Sequence, residues 1–305
     1  FITFCALSTA KGMELKMNKR FVVGYGAALL SAALVGLFTV LNKWLLVESV
    51  PALTAGAWTY FAAGLALLPW AIRAGGLRFK QPFVAIGWLL AGSVFGPSLY
   101  FIGLQLTSGV EGVMLINTEA VFTAFLAFVF FKEKLTSKTL CASLIILAGA
   151  VWVSWSGGSL LSGNAIGNLL IALGYLGWAT ENNLGRLLGE NIPSVTLVCV
   201  KALVAGVVMA ILSLVFGQSL TVSWNVVPGI FASGAVSLGL SLALFYSAMR
   251  HIGAGRTGLI SSTSTLWGVL GAILLLGEVL TGRIVAGGLL MFLGVAIFAW
   301  ETKTD

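Results

Sequence analysis

Apolar runs about as long as a bilayer is thick recur along this chain, separated by short breaks of charge, glycine and proline. From Met17 onward, ten of them fall at about 21–44, 52–72, 83–106, 110–131, 138–156, 165–187, 194–216, 227–249, 255–277 and 283–300. Roughly 20 apolar residues at about 1.5 Å each cross a hydrocarbon core of about 30 Å as a helix. A chain in lipid must satisfy its backbone polar groups internally, and these lengths suit helices rather than the shorter strands of a barrel. The pattern predicts an all-α polytopic membrane protein with ten transmembrane helices.

The pattern is also written twice. LLVESVPALT (45–54) and LLGENIPSVT (187–196) share Leu, Leu, Glu, Pro and Thr at matching positions, 142 residues apart. FKEKLTSKT around Glu133 and LGEVLTGRI around Glu278 share E-x-L-T-x-basic at an offset of 278 minus 133, or 145. Gly149 and Trp155 fall over Gly294 and Trp300 at that second offset. Loop insertions absorb the difference, giving one five-helix unit repeated. Five is odd, so the second unit enters the membrane from the opposite side: two inverted five-helix repeats, 17–160 and 161–305. Residues 1–16, which precede Met17, are expected to form an unstructured leader outside this fold.

Charge sets the expected orientation. Fourteen of the 17 Lys and Arg fall on one side: Lys11, Lys16, Lys19, Arg20, Arg73, Arg78, Lys80, Lys132, Lys134, Lys138, Arg186, Arg250, Arg256 and Lys303. Positive residues mark the cytoplasm, so both termini are expected there, in a bacterial-type inner membrane. Lys43 and Arg283 are left outside, and Lys201 lies within a helix. The net charge of +7 is then mostly a topology signal and requires no nucleic-acid partner. With 59% hydrophobic and 9% charged residues, the lipid bilayer itself is the solvent. Trp70, Trp88, Trp155, Trp224 and Trp300 at predicted helix ends read as an interfacial belt. Three cysteines, two of them inside apolar spans, imply no disulfide framework.

Ten helices in inverted halves, the end-of-helix glutamates of FFKEKL and LLGEVL, and the glycines of LIILAGAVW and LLMFLGVAI resemble the drug/metabolite transporter superfamily in its EamA-type branch. The resemblance covers the chain after Met17. It implies a secondary transporter of small organic solutes, similar to bacterial exporters of aromatic and other amino acids. The family often carries Pro beyond the midpoint of its fourth and ninth helices, where this chain has Ala120 and Thr265. A mechanism built on that kink does not carry over.

Inverted repeats independently suit alternating access, since two pseudo-symmetric halves can exchange conformations around a central site. A charge at bilayer depth costs a few kcal/mol or more, so intramembrane polar residues are the candidate site. Glu119 stands near the middle of the fourth helix, and its repeat mate is Ser264 in SSTST (261–265). Glu181, beside Asn182 and Asn183 toward the inner end of the sixth helix, could carry a proton or pair with Arg186. Asn117, two residues from Glu119, points elsewhere around the helix. Lys201 could neutralise a buried carboxylate or snorkel to the interface. Tyr100 follows Gly96–Ser98, where Pro97 loosens the helical ladder, and Trp178 and Trp267 lie inside spans, as stacking surfaces or as core. Glu133 and Glu278 sit at helix junctions where Thr136 and Thr281 suit N-caps, which reads as scaffold. Gly92 and Gly96 permit close helix approach, within the bundle or between chains.

Other chemistries find little purchase. GAGRTG (253–258) matches GxGxxG but follows a membrane helix rather than a strand, so a tight turn is expected. No GxxxxGK[ST] phosphate loop is present. The lone His251 lies in the same turn and cannot form an HExxH zinc site. No cofactor or metal is expected, and an intramembrane enzyme is disfavoured. The expected partners are a small-molecule substrate such as an amino acid, the bilayer, and protons if transport is coupled. The alternative is a structural or lipid-scrambling membrane protein.

Overall fold

A computed structural model describes residues 2–75, 79, 81–155, 163–188 and 192–301. The side chains of 2–21, 163, 254, 255, 259 and 299–301 lie outside that description. The described residues hold helices and no strand. In chain order they are α1 (Ile2–Val47), α2 (Ala52–Ala74), α3 (Pro82–Leu106), α4 (Gly109–Phe131), α5 (Ser137–Ser154), α6 (Gly163–Leu187), α7 (Ser194–Val215), α8 (Trp224–Ile252), α9 in two pieces (Ala254–Ser261 and Ser264–Leu276) and α10 (Gly282–Glu301). Seven, α1 to α5 with α7 and α8, are long and apolar enough to cross a membrane; the second piece of α9 and Gly282–Phe298 of α10 are shorter apolar helices. Each helix falls on one of the ten predicted segments. Helix α1 runs on from Ile2 through the segment that precedes Met17.

The repeat recurs in local geometry. Pro51 and Pro193 start α2 and α7 in matching conformations, and Gly75 and Gly217 end them with φ of 79° and 70°. Lys132 and Gly277 end α4 and α9 in the left-handed region, at φ 55° and 66°. Thr136 and Thr281 then cap the following helices, accepting from the Thr139 and Ile284 amides at 3.2 and 3.3 Å. Such caps stabilise a helix start by about 1 kcal/mol. π-helical stretches interrupt α3 at Leu90–Phe95 and α8 at Ala232–Leu240, again 142 residues apart. The tight 3-10 turn of α4 at Leu115–Asn117 has its counterpart close to the Ser262–Thr263 break of α9.

Packing obeys the same symmetry. Helix α2 lies on α7 and α5 on α10; α3 lies on α6 as α8 lies on α1; α4 meets α6 as α9 meets α1. The mates run antiparallel: Thr54 at the start of α2 bonds Ser213 near the end of α7 at 2.7 Å, and Gly149 of α5 abuts Gly287 and Met291 of α10. The repeats are therefore related by a pseudo-twofold lying across the helix axes. Glycine permits the closest crossings, with Gly96 and Gly103 of α3 against Gly174, Gly177 and Gly167 of α6. The Gly92–Gly96 spacing thus serves packing within the bundle. Tyr100, Phe101, Leu104, Leu115, Ile171 and Met209 form the centre of the core. Trp70, Trp155 and Trp224 are exposed as a belt requires. Trp88 is not: it is 4% exposed, packed with Leu188 and Phe79, while the side chain of Trp300 lies outside the described residues.

Candidate functional site

The π-helical stretch of α3 matters because of what it faces. Pro97 has no amide to donate, and the ladder before it opens to a longer bond from Gly96 N to Ala91 O. Opposite this stretch Gly92 meets the Glu181 carboxylate of α6 so closely that a Cβ there would collide with it. Lys201 of α7 completes the group, its Nζ donating to both Glu181 oxygens at 2.8 and 2.7 Å. Ser93 Oγ ties the backbone of Lys201 at 3.1 Å. Of the two readings of Lys201, neutralisation of a buried carboxylate is the one observed. Glu181 does not pair with Arg186, which instead reaches Glu133 at 2.7 Å.

At the next residue of α6, Asn182 Nδ2 donates to Glu119 of α4 at 2.7 Å. Glu119 is half-buried, Asn182 is exposed, and Glu119 stands near the middle of α4. Asn183 donates to the Ala179 and Thr123 carbonyls, while its buried Oδ1 has no described partner. Three helices thus bring two carboxylates, one ammonium and two amides together within the bilayer. Glu119 is the member whose described partner is a neutral amide, and so the one freest to accept a cation.

An aromatic wall adjoins the cluster. Trp178 lies one turn before Glu181 on α6, and its ring centroid is 5.2 Å from those of both Tyr100 and Tyr175. Tyr100 is fully buried and donates to Thr39 Oγ1 at 2.8 Å. Trp178 is half-buried, with its indole edge against Gly96. Trp267 does not join them; it is 40% exposed on α9. Asn117 turns to α9, where Thr265 Oγ1 donates to its Oδ1 at 3.4 Å, so Asn117 and Glu119 serve different neighbours. Ser264 is buried at the start of the second piece of α9, where α1 crosses at Gly36. His251 is exposed in the last turn of α8, its Nδ1 2.7 Å from Ser247 O, and Gly253 makes the tight turn at φ 83°. Among the described residues no three metal-ligating groups cluster.

The two ends of the bundle differ. At the end remote from Lys132 and Arg250, the start of α4 packs on the end of α9, and the Glu278 oxygens accept from the Gly109 and Val110 amides at 2.6 and 2.8 Å. Beside them Glu111, 2% exposed, accepts from Arg283 at 2.9 Å, from Thr107 at 2.7 Å and from Asn168 at 2.9 Å. Lys43 Nζ donates to Leu104 O at 3.0 Å. Sequence reading passed over this network and took Glu278 as scaffold. The signal was there in Lys43 and Arg283, two basic residues on the side that should lack them. At the basic end, Glu133, the mate of Glu278, is half exposed and paired with an equally exposed Arg186. No packing of comparable extent joins the start of α9 to the end of α4 there among the described residues.

A bundle of apolar helices in two inverted repeats, with a polar and aromatic site at mid-depth and one end sealed, defines a helical membrane transporter. The EamA-like transporter family matches this chain twice, over residues 22–155 and 165–300, and the chain belongs to that family. It is 27% identical to an uncharacterized transporter of Methanothermobacter thermautotrophicus, over 92% of this chain and 87% of that one. It is 26% identical to the uncharacterized transporter YetK of Bacillus subtilis, over 84% and 79%. A solved crystal structure superposes with a TM-score of 0.64 over 94% of this chain and 98% of that one; at 18% identity the likeness speaks for the fold.

Proposed function

We propose that the protein exports small neutral or zwitterionic organic solutes, foremost amino acids with apolar or aromatic side chains, across a bacterial-type inner membrane. The observation that carries this reading is the juxtaposition of Glu119–Asn182 and Glu181–Lys201 with the Tyr100–Tyr175–Trp178 wall. An α-amino acid presents one ammonium and one carboxylate close together. Its ammonium replaces the Asn182 amide at Glu119 while its carboxylate competes with Glu181 for Lys201, leaving the net charge of the site unchanged at a depth where a net charge is costly. An apolar or aromatic side chain stacks on the wall, at a gain of about 1 kcal/mol beyond area burial. A polyanion has one cation to meet. Protons are the coupling ion this site suits, binding Glu119 in alternation with the ammonium.

Transport runs by alternating access between the repeats, with the basic end and both termini in the cytoplasm. On this orientation, the contacts of Glu278 and the Glu111–Arg283 pair close the outer end. The pseudo-twofold supports an opposite state in which Glu133 leaves Arg186 and the start of α9 docks on the end of α4. An exposed pair such as Glu133–Arg186 is worth no more than about 1 kcal/mol, so its release is cheap.

Counterflow in proteoliposomes tests the substrate class. Liposomes preloaded with unlabelled amino acids are expected to accumulate labelled phenylalanine or tryptophan, with neutral amino acids competing and dicarboxylates failing to compete. Folded protein that exchanges none of the panel sinks the reading and leaves a structural or lipid-scrambling role.

A further inference from the structure

A large cavity lies away from this cluster. It is a groove of about 1190 Å³ between α2, the start of α7 and α8, and none of Glu119, Glu181 and Lys201 lines it. Its wall on α8 runs from Phe231 to His251. Even from Ala235 to Arg250 this is about 20 Å at the rise of a helix, so the groove is elongated along the helix axes, as acyl chains are in a bilayer. Trp70, Phe231 and Leu240 at its mouth are exposed apolar side chains on membrane helices and open it to lipid. Arg73, Arg250 and His251 stand at its basic end, and no acidic side chain lines it among the described residues.

The pseudo-twofold singles this groove out. The position matching Arg73 at the offset of 142 is Val215, and the one matching Arg250 at the offset of 145 that holds past the π-helical stretch is Gln105, so the counterpart at the other end lacks both arginines. That counterpart is also filled. There the second half of α3 packs on α2, Thr54 bonds Ser213 and the Ser219 carbonyl, and Gly56 is wedged between Met209 and Phe101. The second half of α8 makes no comparable packing on α7 among the described residues.

We propose that this groove binds an anionic phospholipid from the leaflet at the basic end, its phosphate held by Arg73 and Arg250 and an acyl chain lying against Leu67, Trp70 and Leu240. Guanidinium is suited to phosphate through its planar fork of donors. The apolar walls supply affinity but no headgroup preference, and the arginines supply the preference.

Native mass spectrometry of the full chain with phosphatidylglycerol and phosphatidylcholine of identical acyl chains tests this. Wild type is expected to retain phosphatidylglycerol preferentially, and Arg73→Gln with Arg250→Gln to cut that preference roughly 30-fold, as expected for two basic residues at a membrane surface. Ala243→Trp, at an exposed position of the groove wall, is expected to reduce retention of both lipids while leaving the unfolding temperature near that of wild type. Equal retention of the two lipids by wild type overturns the proposal without needing any variant. So does a preference that survives the double substitution.

Discussion

At the scale of single residues, the candidate site is built from charges that lipid makes expensive. Lys201 and Glu181 are 21% and 7% exposed at their side chains, so removing one leaves the other buried and unpaired, at a cost of about 3–5 kcal/mol. Lys201→Met is expected to lower the unfolding midpoint in detergent markedly, and Lys201→Met with Glu181→Gln to recover most of the loss. If the double variant is as unstable as the single one, the pair is not what holds Lys201 there. Glu119→Gln keeps its shape and its Asn182 partner in reach, so it is expected to fold normally and to lose at least tenfold in transport rate. Much of this was legible from sequence, because an acid in the middle of an apolar run announces itself. The partners were not. Spacing within α6 offered Arg186 to Glu181, and Lys201 was readable only as the neutraliser of some buried carboxylate; the observed cation is Lys201 of α7, 20 residues on. Glu111 was passed over because it stands two residues into α4, where a carboxylate reads as a helix-start residue rather than as half of an ion pair with Arg283.

At the scale of elements, the described helices were legible as apolar segments, seven of them long and apolar enough to cross a membrane, and the glycine and threonine punctuation marked their ends. The π-helical stretches were not, since an extra residue in one turn leaves the hydrophobic pattern intact; only Pro97 hinted at the one in α3. That stretch holds Gly92 against Glu181, which Lys201 prevents from swinging aside. Gly92→Ala is therefore expected to break the ion pair and to destabilise by about 1–3 kcal/mol, the usual cost of overpacking. Gly26→Ala in α1 is the control: nothing stands within 4 Å of an added Cβ, and helix propensity favours alanine by about 1 kcal/mol. Unfolding midpoints of the two variants moving in the same direction contradict this assignment.

At the scale of the whole molecule, the repeat was readable from two short sequence matches; which mates touch, α2 with α7 and α5 with α10, was not. What the repeat hides is its own breaking, because one conformation must treat equivalent ends differently. Glu278 seals one end and Glu133 does not seal the other. Glu278→Gln gives up charge-assisted bonds to the Gly109 and Val110 amides, each worth about 1.5–3 kcal/mol. In a background lacking the native cysteines, Val110→Cys is expected to react with a membrane-impermeant thiol reagent added outside about tenfold faster once Glu278→Gln is present. An unchanged rate would remove Glu278 from the seal.

On the proposed mechanism a solute crosses this membrane by meeting Glu119 at mid-depth. The most direct test is counterflow of a labelled aromatic amino acid by wild type and by Glu119→Gln, reconstituted side by side at equal protein and with matched unfolding midpoints. Exchange by wild type is expected, with at least a tenfold slower rate in the variant. Equal rates in the two, or no exchange by folded wild type, contradict this mechanism.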